Sequence, residues 1–182
     1  DLTNFNTSKV TEMSSMFAFC EKLKSLDVSS FDTSKVTSFS LMFGDCHALE
    51  SLDVTNFNTT SARSFSQMFG SCRSLTSLDL SSFNTPNLTN FYYALADLDG
   101  IRELDLSSFN TSKLTNVGYL FLNSFYIERI NLTGWDLSEI TNWTGMFINT
   151  GANVVGGVKV TCSAEAKALL IENTVLTEDN FD

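Results

Sequence analysis

Hydrophobic residues recur along the chain in one pattern that repeats every 26 residues. The phrase L-D-[LV]-[ST]-x-F begins at Leu26, Leu52, Leu78 and Leu104, and a diverged copy begins at Ile130. No insertion or deletion breaks this spacing, so equivalent positions of successive units are expected to form columns in a stack of coils. The array starts within a phrase, at residue 1, and we expect the natural protein to continue upstream.

Each unit is predicted to contain one short strand. Aliphatic residues alternate at two positions, for example Leu52 and Val54, and a period of two is typical of a strand with these side chains inward. The polar residue between them should therefore point outward. A column of aromatic residues comes next, formed by Phe5, Phe31, Phe57, Phe83, Phe109 and Trp135.

The next part of each unit is predicted to form a short helix or a tight helical turn. Apolar residues follow one another at spacings of three, three and one, as in Val36, Phe39, Met42 and Phe43. Thr and Ser residues before this segment can accept the first amide protons of such a turn. Gly44 and Gly70 can end it.

Polar residues mark the bend after the strand and the end of the array. The bend column should bond its own backbone, and it contains Asn6, Asp32, Asn58, Asn84, Asn110 and Asp136. Residues 163–173 read SAEAKALLIEN, which predicts a helix with Ser163 as its N-cap. We therefore expect an α/β fold, an open right-handed leucine-rich-repeat solenoid over residues 1–156 with a strand-helix cap over residues 157–182.

Composition narrows the class of partner. The chain has 21 acidic and 11 basic residues, a formal net charge of −10, so nucleic acid and anionic membranes are unsuitable partners. No apolar run approaches the roughly 18 residues of a membrane span, so we expect no membrane insertion. We expect a monomer without a cofactor.

Neither a catalytic set nor a metal site is evident. His47 is the single histidine and follows Cys46, without the partners that nucleophilic catalysis or zinc binding requires. Cys20, Cys46 and Cys72 share a column, and we expect these thiols, like Cys162, to be free and buried rather than paired. An enzyme is therefore not expected.

The first candidate binding surface is the outward strand face. It carries a ladder of carboxylates flanked by hydroxyl groups, and its residues are Asp27, Asp53, Asp79, Asp105, Ser29, Thr55, Ser81 and Ser107. Stacked carboxylates repel one another, so something must offset this charge. One interpretation is hydrogen bonding to the neighbouring hydroxyl groups with solvent and counter-ions. The other is a ligand: a cationic protein patch, a glycan or a divalent cation such as calcium.

The second candidate is the region where the repeat departs from its own consensus. Tyr92 and Tyr93 replace the polar or aliphatic residues of earlier units, and we expect Tyr119 to stack above Tyr93. Tyrosine is enriched at recognition surfaces because it combines a large apolar area with a polar tip. Drift near the cap, with the rings filling space left by lost Met and Phe residues, is the other interpretation.

The repeat unit resembles the BspA-like leucine-rich repeat surface proteins. The resemblance rests on the pattern L-D-[LV]-[ST]-x-F-[ND]-T-[ST]-x-[VL]-T-x-[MF]-x-x-M-F-x-x-C-x-x-L in residues 26–49 and 52–75, and departures begin in the fourth unit. It implies a bacterial cell-surface protein, with signal and anchor segments elsewhere in the full chain, and in several members an adhesin. It brings no agreed ligand-binding residues.

The favoured hypothesis is thus a surface adhesin module that recognises an extracellular protein or glycan. A passive spacer that displays another domain is the first alternative. A binder of ice or crystal surfaces is a second, although the charged Asp column is unlike a flat hydroxyl array. A spacer should expose no aromatic patch, whereas a binding module should expose Tyr92, Tyr93 or Tyr119 together.

Overall fold

The computed structural model describes residues 2–182 and consists of short parallel strands with little helix. Within this range the strands are β1 (Ser25–Leu26), β2 (Ser51–Leu52), β3 (Glu103–Asp105), β4 (Arg129–Asn131) and β5 (Lys159–Thr161). A helix, α1 (Ala164–Asn173), and a 3-10 turn (Glu178–Asn180) follow β5. Residue 1, where the Asp column and the array were expected to begin, lies outside the described residues.

The strands stack in the register that the 26-residue period predicts. β1 pairs with β2 through Leu26 and Leu52, and β3 pairs with β4 through Leu104 and Ile130. β5 extends the second sheet, but Val160 lies opposite Ile130, which is 30 residues earlier, so the 26-residue spacing ends at β4 and four extra residues precede β5. The expectation of a strand in every unit is wrong at Leu78, because no ladder hydrogen bonds join this level to its neighbours and the described strands form two separate sheets.

A second line of contacts joins all six units without a break. Parallel bridges connect one residue of each unit to the equivalent residue of the next, in the order Glu12, Ser38, Ser64, Asn90, Asn116 and Asn142. In each of the first five units, the segment that follows the bridge residue donates four backbone hydrogen bonds to the next unit. In the second unit the N–H groups of Phe39 and Phe43 donate to the carbonyls of Ser64 and Met68 at 3.0 Å.

This segment is not the helical turn that the sequence predicts. The N–H of Met42 does donate to the carbonyl of Phe39, three residues earlier, as in a helical turn. However, Leu41 and Asp45 have φ values of 57° and 59°, in the left-handed region, so the chain forms tandem turns. The same two positions have positive φ in every unit, and this keeps alternate N–H groups directed at the neighbouring unit.

The glycines of this segment serve close packing rather than helix termination. A methyl group at Gly44 would lie 2.9 Å from the carbonyl oxygen of Gln67 in the next unit. At Gly70 it would lie 2.9 Å from the carbonyl oxygen of Tyr93. Neither glycine has a positive φ, so the distance between adjacent units, not backbone conformation, selects glycine here.

The core runs through the stack as columns of side chains. Phe43 packs between Phe17 and Phe69, with ring centroids 5.8 Å apart on both sides and nearly parallel planes. All three residues belong to one predicted column, and Phe43 and Phe69 are almost fully buried. Offset stacking of this kind adds to the burial of apolar area, so each unit is stabilised mainly by its neighbours.

The bend and the C-terminal helix follow their sequence signals. The side chains of Asp32 and Asn58 accept hydrogen bonds from the backbone N–H groups of Ser34 and Thr60, two residues later, as predicted. Ser163 caps α1 by accepting from the N–H of Ala166 at 3.2 Å. Within residues 2–182, no helix has the length and apolar character needed to cross a membrane.

Candidate functional site

The Asp residues of the strand face are exposed, as the alternation predicts, and each is tied to its own chain. Asp53 Oδ1 accepts from the backbone N–H of Thr55 at 2.9 Å and from its hydroxyl at 2.6 Å. Asp27 and Asp79 each accept the N–H of the serine two residues later, Ser29 and Ser81, at 2.9 Å. Each carboxylate therefore closes a small turn at the end of the strand.

Asp105 has one further partner. It accepts from the N–H and hydroxyl of Ser107 at 2.9 and 2.6 Å, and from Asn131 Nδ2 at 3.1 Å. Asn131 is the residue that replaces aspartate in the next unit. The ladder therefore ends in an amide that donates to the last carboxylate, which removes one repulsive contact from the face.

Hydrogen bonding sets the acidity of this face. The side-chain bond from Thr55 and then its N–H bond hold the pKa of Asp53 below its usual value of 3.8, while burial and Asp27 act weakly in the opposite direction. The pKa values of Asp27, Asp79 and Asp105 are lowered by the equivalent bonds. All four are therefore ionised at neutral pH, and within residues 2–182 no three acidic, His or Cys side chains converge in a way that could hold a metal ion.

A shallow groove runs along the strand face between adjacent units. One part is lined by Ser25, Asp27, Ser51, Asp53 and Ser77. Its lining combines the apolar side chains of Leu26 and Leu52 with hydroxyl and carboxylate groups. The groove can therefore present both hydrogen-bond acceptors and apolar surface to a ligand.

The three candidate tyrosines lie together on a different face, beside the continuous line of bridges. The rings of Tyr92 and Tyr119 meet edge to face with centroids 5.7 Å apart, and those of Tyr92 and Tyr93 are 6.3 Å apart. The predicted partner of Tyr119 is therefore wrong, because its ring contacts Tyr92 rather than Tyr93. All three residues are partly exposed, and we call them the tyrosine cluster.

Glycines of neighbouring units make room for this cluster. A methyl group at Gly145 would lie 2.5 Å from the ring of Tyr119, and one at Gly118 would lie 3.2 Å from the ring of Tyr92. On the other side, Gly70 of the preceding unit faces the ring of Tyr93. The rings thus occupy space along the stack that side chains at these glycines would otherwise fill.

Tyr93 also anchors a polar network that the sequence reading missed. Its hydroxyl donates to Asp97, whose carboxylate is 7% exposed and accepts from Arg73 Nη2 at 3.2 Å. Burial, and then the bond to Asp97, raise the pKa of Tyr93 to about 12. Arg73 also approaches Asp99 at 3.9 Å, whose Oδ1 is buried without a hydrogen-bond partner. Burial raises the pKa of Asp99.

The columns did contain a signal for this network. Arg73 and Asp99 occupy the same position of adjacent units, and His47 precedes them in that column. Opposite charges at one position of adjacent levels predict an ion pair. The burial of Asp97 could not be predicted from the sequence, since the equivalent residues of the other units are exposed in some units and buried in others.

The cysteine column is only partly buried as expected. Cys46 and Cys72 are buried, and each thiol donates to a carbonyl of the preceding unit, that of Phe17 or Phe43, at 3.1 Å. Burial raises the pKa of Cys46 to about 11 and that of Cys72 further. Cys20 is exposed, which corrects the prediction, because no described unit covers it; Cys162 is partly buried.

In the fifth and sixth units Ser and Thr replace cysteine and donate the equivalent hydrogen bond. Ser124 donates to the carbonyl of Leu95 at 3.1 Å, and Thr150 donates to that of Phe121 at 2.9 Å. At four of its six levels the column therefore supplies a small hydrogen-bond donor, and at a fifth level it contains the buried Leu98. This is a structural role, and it accounts for these cysteines without a redox or metal function.

Comparison with known proteins identifies one family and little else. The family model described as "Mycoplasma protein of unknown function, DUF285" matches residues 1–103 and again residues 77–155. The two matches together span the 26-residue units and stop before β5 and α1. No curated protein and no solved structure matches the chain. The first match alone covers more than half of the sequence, so the chain belongs to the DUF285 family, a repeat family found in BspA-like surface proteins.

Proposed function

We infer that the chain is a non-catalytic ligand-binding module of a bacterial surface adhesin. In this proposal the stacked units form an open right-handed solenoid of the leucine-rich-repeat type, outside the cell. The ligand is a protein or glycan of a host or of a neighbouring cell. The observation that carries the proposal is the tyrosine cluster, Tyr92, Tyr93 and Tyr119, which is partly exposed on one face.

The cluster has the physical properties of a recognition surface. Its rings supply rigid apolar area, and the hydroxyl groups supply polar contacts at little cost in side-chain entropy. The rings of Tyr92 and Tyr119 pack edge to face, and this contact restricts the freedom that they would lose on binding. The cluster also occurs where the repeat departs from its consensus.

The acidic strand face is the second surface in the proposal. In Asp53 and Asp79 the Oδ1 atom closes the local turn, while Oδ2 has no partner among the described residues and can accept from a ligand. A lysine-rich or arginine-rich protein surface would complement these charges. The local turns already supply hydrogen bonds to these carboxylates, so this face supports the proposal less strongly than the tyrosine cluster does.

A binding screen tests the proposal directly. The chain is immobilised and exposed to extracellular matrix proteins, mucins and a glycan array, with and without calcium. Tyr92→Ser, Tyr93→Gln and Tyr119→Gln together restore residues that earlier units carry at these positions, so the triple variant should fold. We expect it to lose binding by tenfold or more, about 1.4 kcal/mol.

Matched controls separate the two surfaces. Tyr126→Ser removes an exposed tyrosine that stacks under Arg102, 4.9 Å from its ring, away from the cluster. Asp53→Asn with Asp79→Asn removes two charges from the strand face. If the triple variant binds normally and the double Asp variant does not, the binding site is on the strand face. If both variants bind normally, neither surface is the binding site.

The passive spacer remains the competing proposal. The unbroken line of bridges from Glu12 to Asn142 is what a stiff stalk would need. A spacer predicts that the chain binds nothing in the screen while the full-length protein still adheres to cells. The same screen therefore separates the two functions.

A further inference from the structure

The last unit of the array has a row of backbone donors without acceptors. In each earlier unit, four alternate N–H groups donate to carbonyls of the next unit; in the fifth unit those of Tyr119 and Phe121 donate to Thr144 and Met146 at 2.7 and 3.0 Å. The equivalent groups of the sixth unit belong to Trp143, Gly145, Phe147 and Asn149. Among residues 2–182 none of these four N–H groups has a hydrogen-bond acceptor.

The cap explains why these donors are left over. β5 is offset from β4 by 30 residues, so the equivalent acceptors would be the carbonyls of residues 172, 174, 176 and 178. Residue 172 lies in α1, residue 174 is its C-cap and residue 178 begins the 3-10 turn, so this part of the chain does not form a further row of carbonyls. The carbonyl of Leu170, for example, accepts from the N–H of Thr174 at 3.0 Å and from its hydroxyl at 2.7 Å.

A cleft lies beside this row of donors. Trp143, Gly145, Met146, Phe147 and Ile148 form one wall, and Asn173, Thr174 and Val175 form the other, around a volume of about 260 Å³. This is below the roughly 300–1,000 Å³ of pockets for drug-sized molecules, and it suits one or two side chains of a longer ligand. Ile148 and Val175 are 40% and 64% exposed, unusually high for aliphatic residues beside a core.

The unpaired N–H groups leave this edge with unsatisfied hydrogen-bonding capacity. Phe147 is 2% exposed, so its N–H group has little access to water. A buried donor without an acceptor costs about 1–3 kcal/mol, which a ligand with suitably placed carbonyls would recover. At the equivalent edge of the second unit the acceptors are carbonyls on alternate residues of a tandem-turn segment, so a ligand needs carbonyls at this spacing.

The geometry points to a peptide-binding edge: residues 143–149 and 173–175 hold a non-acidic peptide segment of a partner protein, in the tandem-turn conformation that residues 64–70 adopt against the second unit. The backbone carbonyls of the peptide accept from Gly145 and Phe147, and an apolar side chain enters the cleft between Ile148 and Val175. Strand addition to an unpaired edge is an established mode of peptide recognition. Here, however, the edge consists of tandem turns rather than a strand.

Electrostatics selects a peptide over a small anion. The chain carries a net charge of −10, which repels an acidic ligand. The C-terminal end of α1 lies on the far wall, and the carbonyl groups at a helix C-terminus carry partial negative charge. A neutral or basic peptide is compatible with both features.

The test uses a peptide with the sequence of residues 64–72 of this chain, carrying Cys72→Ser and blocked ends. The carbonyls of Ser64, Ser66, Met68 and Gly70 fill the equivalent edge of the second unit, so this segment is the natural template. Amide hydrogen exchange should show slower exchange at Gly145 and Phe147 when the peptide is added to the whole chain. The fluorescence of Trp143 should change along the same titration.

Two arginine substitutions at exposed valines provide the matched pair. Val175→Arg fills the cleft and should weaken peptide binding by at least about tenfold. Val155→Arg, at a fully exposed position that does not line the cleft, should leave it unchanged. Tyr92→Ser with Tyr93→Gln, which leaves Tyr119 in place beside Gly145, should bind the peptide normally, so this site can fail or succeed independently of the proposed adhesin surface.

Four results would overturn the inference. One is an absence of amide protection at the solubility limit of the peptide, and another is unchanged binding by Val175→Arg. Acetate that protects the same amides would show an anion site. Protection that appears without peptide as the chain is concentrated, with an increase in mass by sedimentation, would show that a second copy of this chain occupies the edge.

Discussion

The hydroxyl of Thr33 bridges two units by bonding both backbone groups of Asn58. Thr33 Oγ1 donates to the carbonyl of Asn58 at 3.1 Å and accepts from its N–H at 2.8 Å. The same two-way contact joins Thr7 to Asp32, Thr59 to Asn84 and Thr111 to Asp136. These threonines are buried, so the repeat retains a polar residue inside because it completes the hydrogen bonding of the next unit.

Thr59→Val should therefore destabilise the stack although it preserves shape. The substitution leaves the N–H and carbonyl of Asn84 without partners, at a cost of about 1–3 kcal/mol. Chemical denaturation measures the loss, and Thr76→Val, at an exposed threonine that does not bridge units, is the control. Equal stability of the two variants would contradict the bridging role.

The acidity of Asp53 should depend on Thr55. Thr55→Val removes the hydroxyl bond, the largest cause of the lowered pKa, so the pKa of Asp53 should rise towards 3.8 while that of Asp79 stays unchanged. Carboxyl chemical shifts followed by NMR between pH 2 and pH 6 (roughly the range spanned by carboxyl titrations) give both values. A fixed pKa for Asp53 would show that the N–H bond alone sets it.

The same shifts predict the pH dependence of stability. Asp27, Asp53, Asp79 and Asp105 have lower pKa values in the folded chain than the usual 3.8, so their stabilising contribution is complete above that value. It is lost as the pH falls below 3.8 and through the folded pKa values. Thermal unfolding should show a midpoint that decreases over this window, and a less steep decrease when all four are changed to Asn.

Gly100 should not tolerate a side chain. A methyl group there would lie 2.2 Å from the carbonyl oxygen of Leu75, a backbone atom that cannot move without shifting the preceding unit. We expect Gly100→Ala to cost at least about 2 kcal/mol. Gly118→Ala should cost less, because its nearest neighbour, 2.9 Å away, is the end of the flexible Asn142 side chain. Denaturation midpoints of the two variants check the order.

The thiols should differ sharply in reactivity. Cys20 is exposed, whereas burial keeps Cys46 and Cys72 protonated and inaccessible. A thiol reagent at pH 8 should label Cys20 rapidly and the two buried residues only on unfolding. Cys20→Ser should remove the fast phase, and Cys162→Ser should not. Fast labelling of Cys46 in the folded chain would mean that the first two units separate readily.

Part of the candidate site was predictable from the columns. Alternation around Leu52 and Val54 fixes Asp53 as outward, and the Ser or Thr two residues later predicts the turn that holds each carboxylate. The proximity of the three tyrosines follows from the unbroken register. The network of Tyr93, Asp97 and Arg73 was not predicted, because burial of Asp97 depends on how far the neighbouring ring and guanidinium cover it.

The sequence by itself determined the period, the register of the repeat units and the core columns, because repetition gives equivalent positions of successive units similar neighbours. Only the tertiary structure decided the backbone between Phe39 and Cys46. The apolar spacing there fits both a helical turn and tandem turns, and hydrogen bonds to the next unit select the turns with left-handed Leu41 and Asp45. The unpaired N–H groups of the sixth unit were also decided by the tertiary structure. The sequence pattern of that unit cannot show that the chain beyond it lacks the carbonyls that would accept from them.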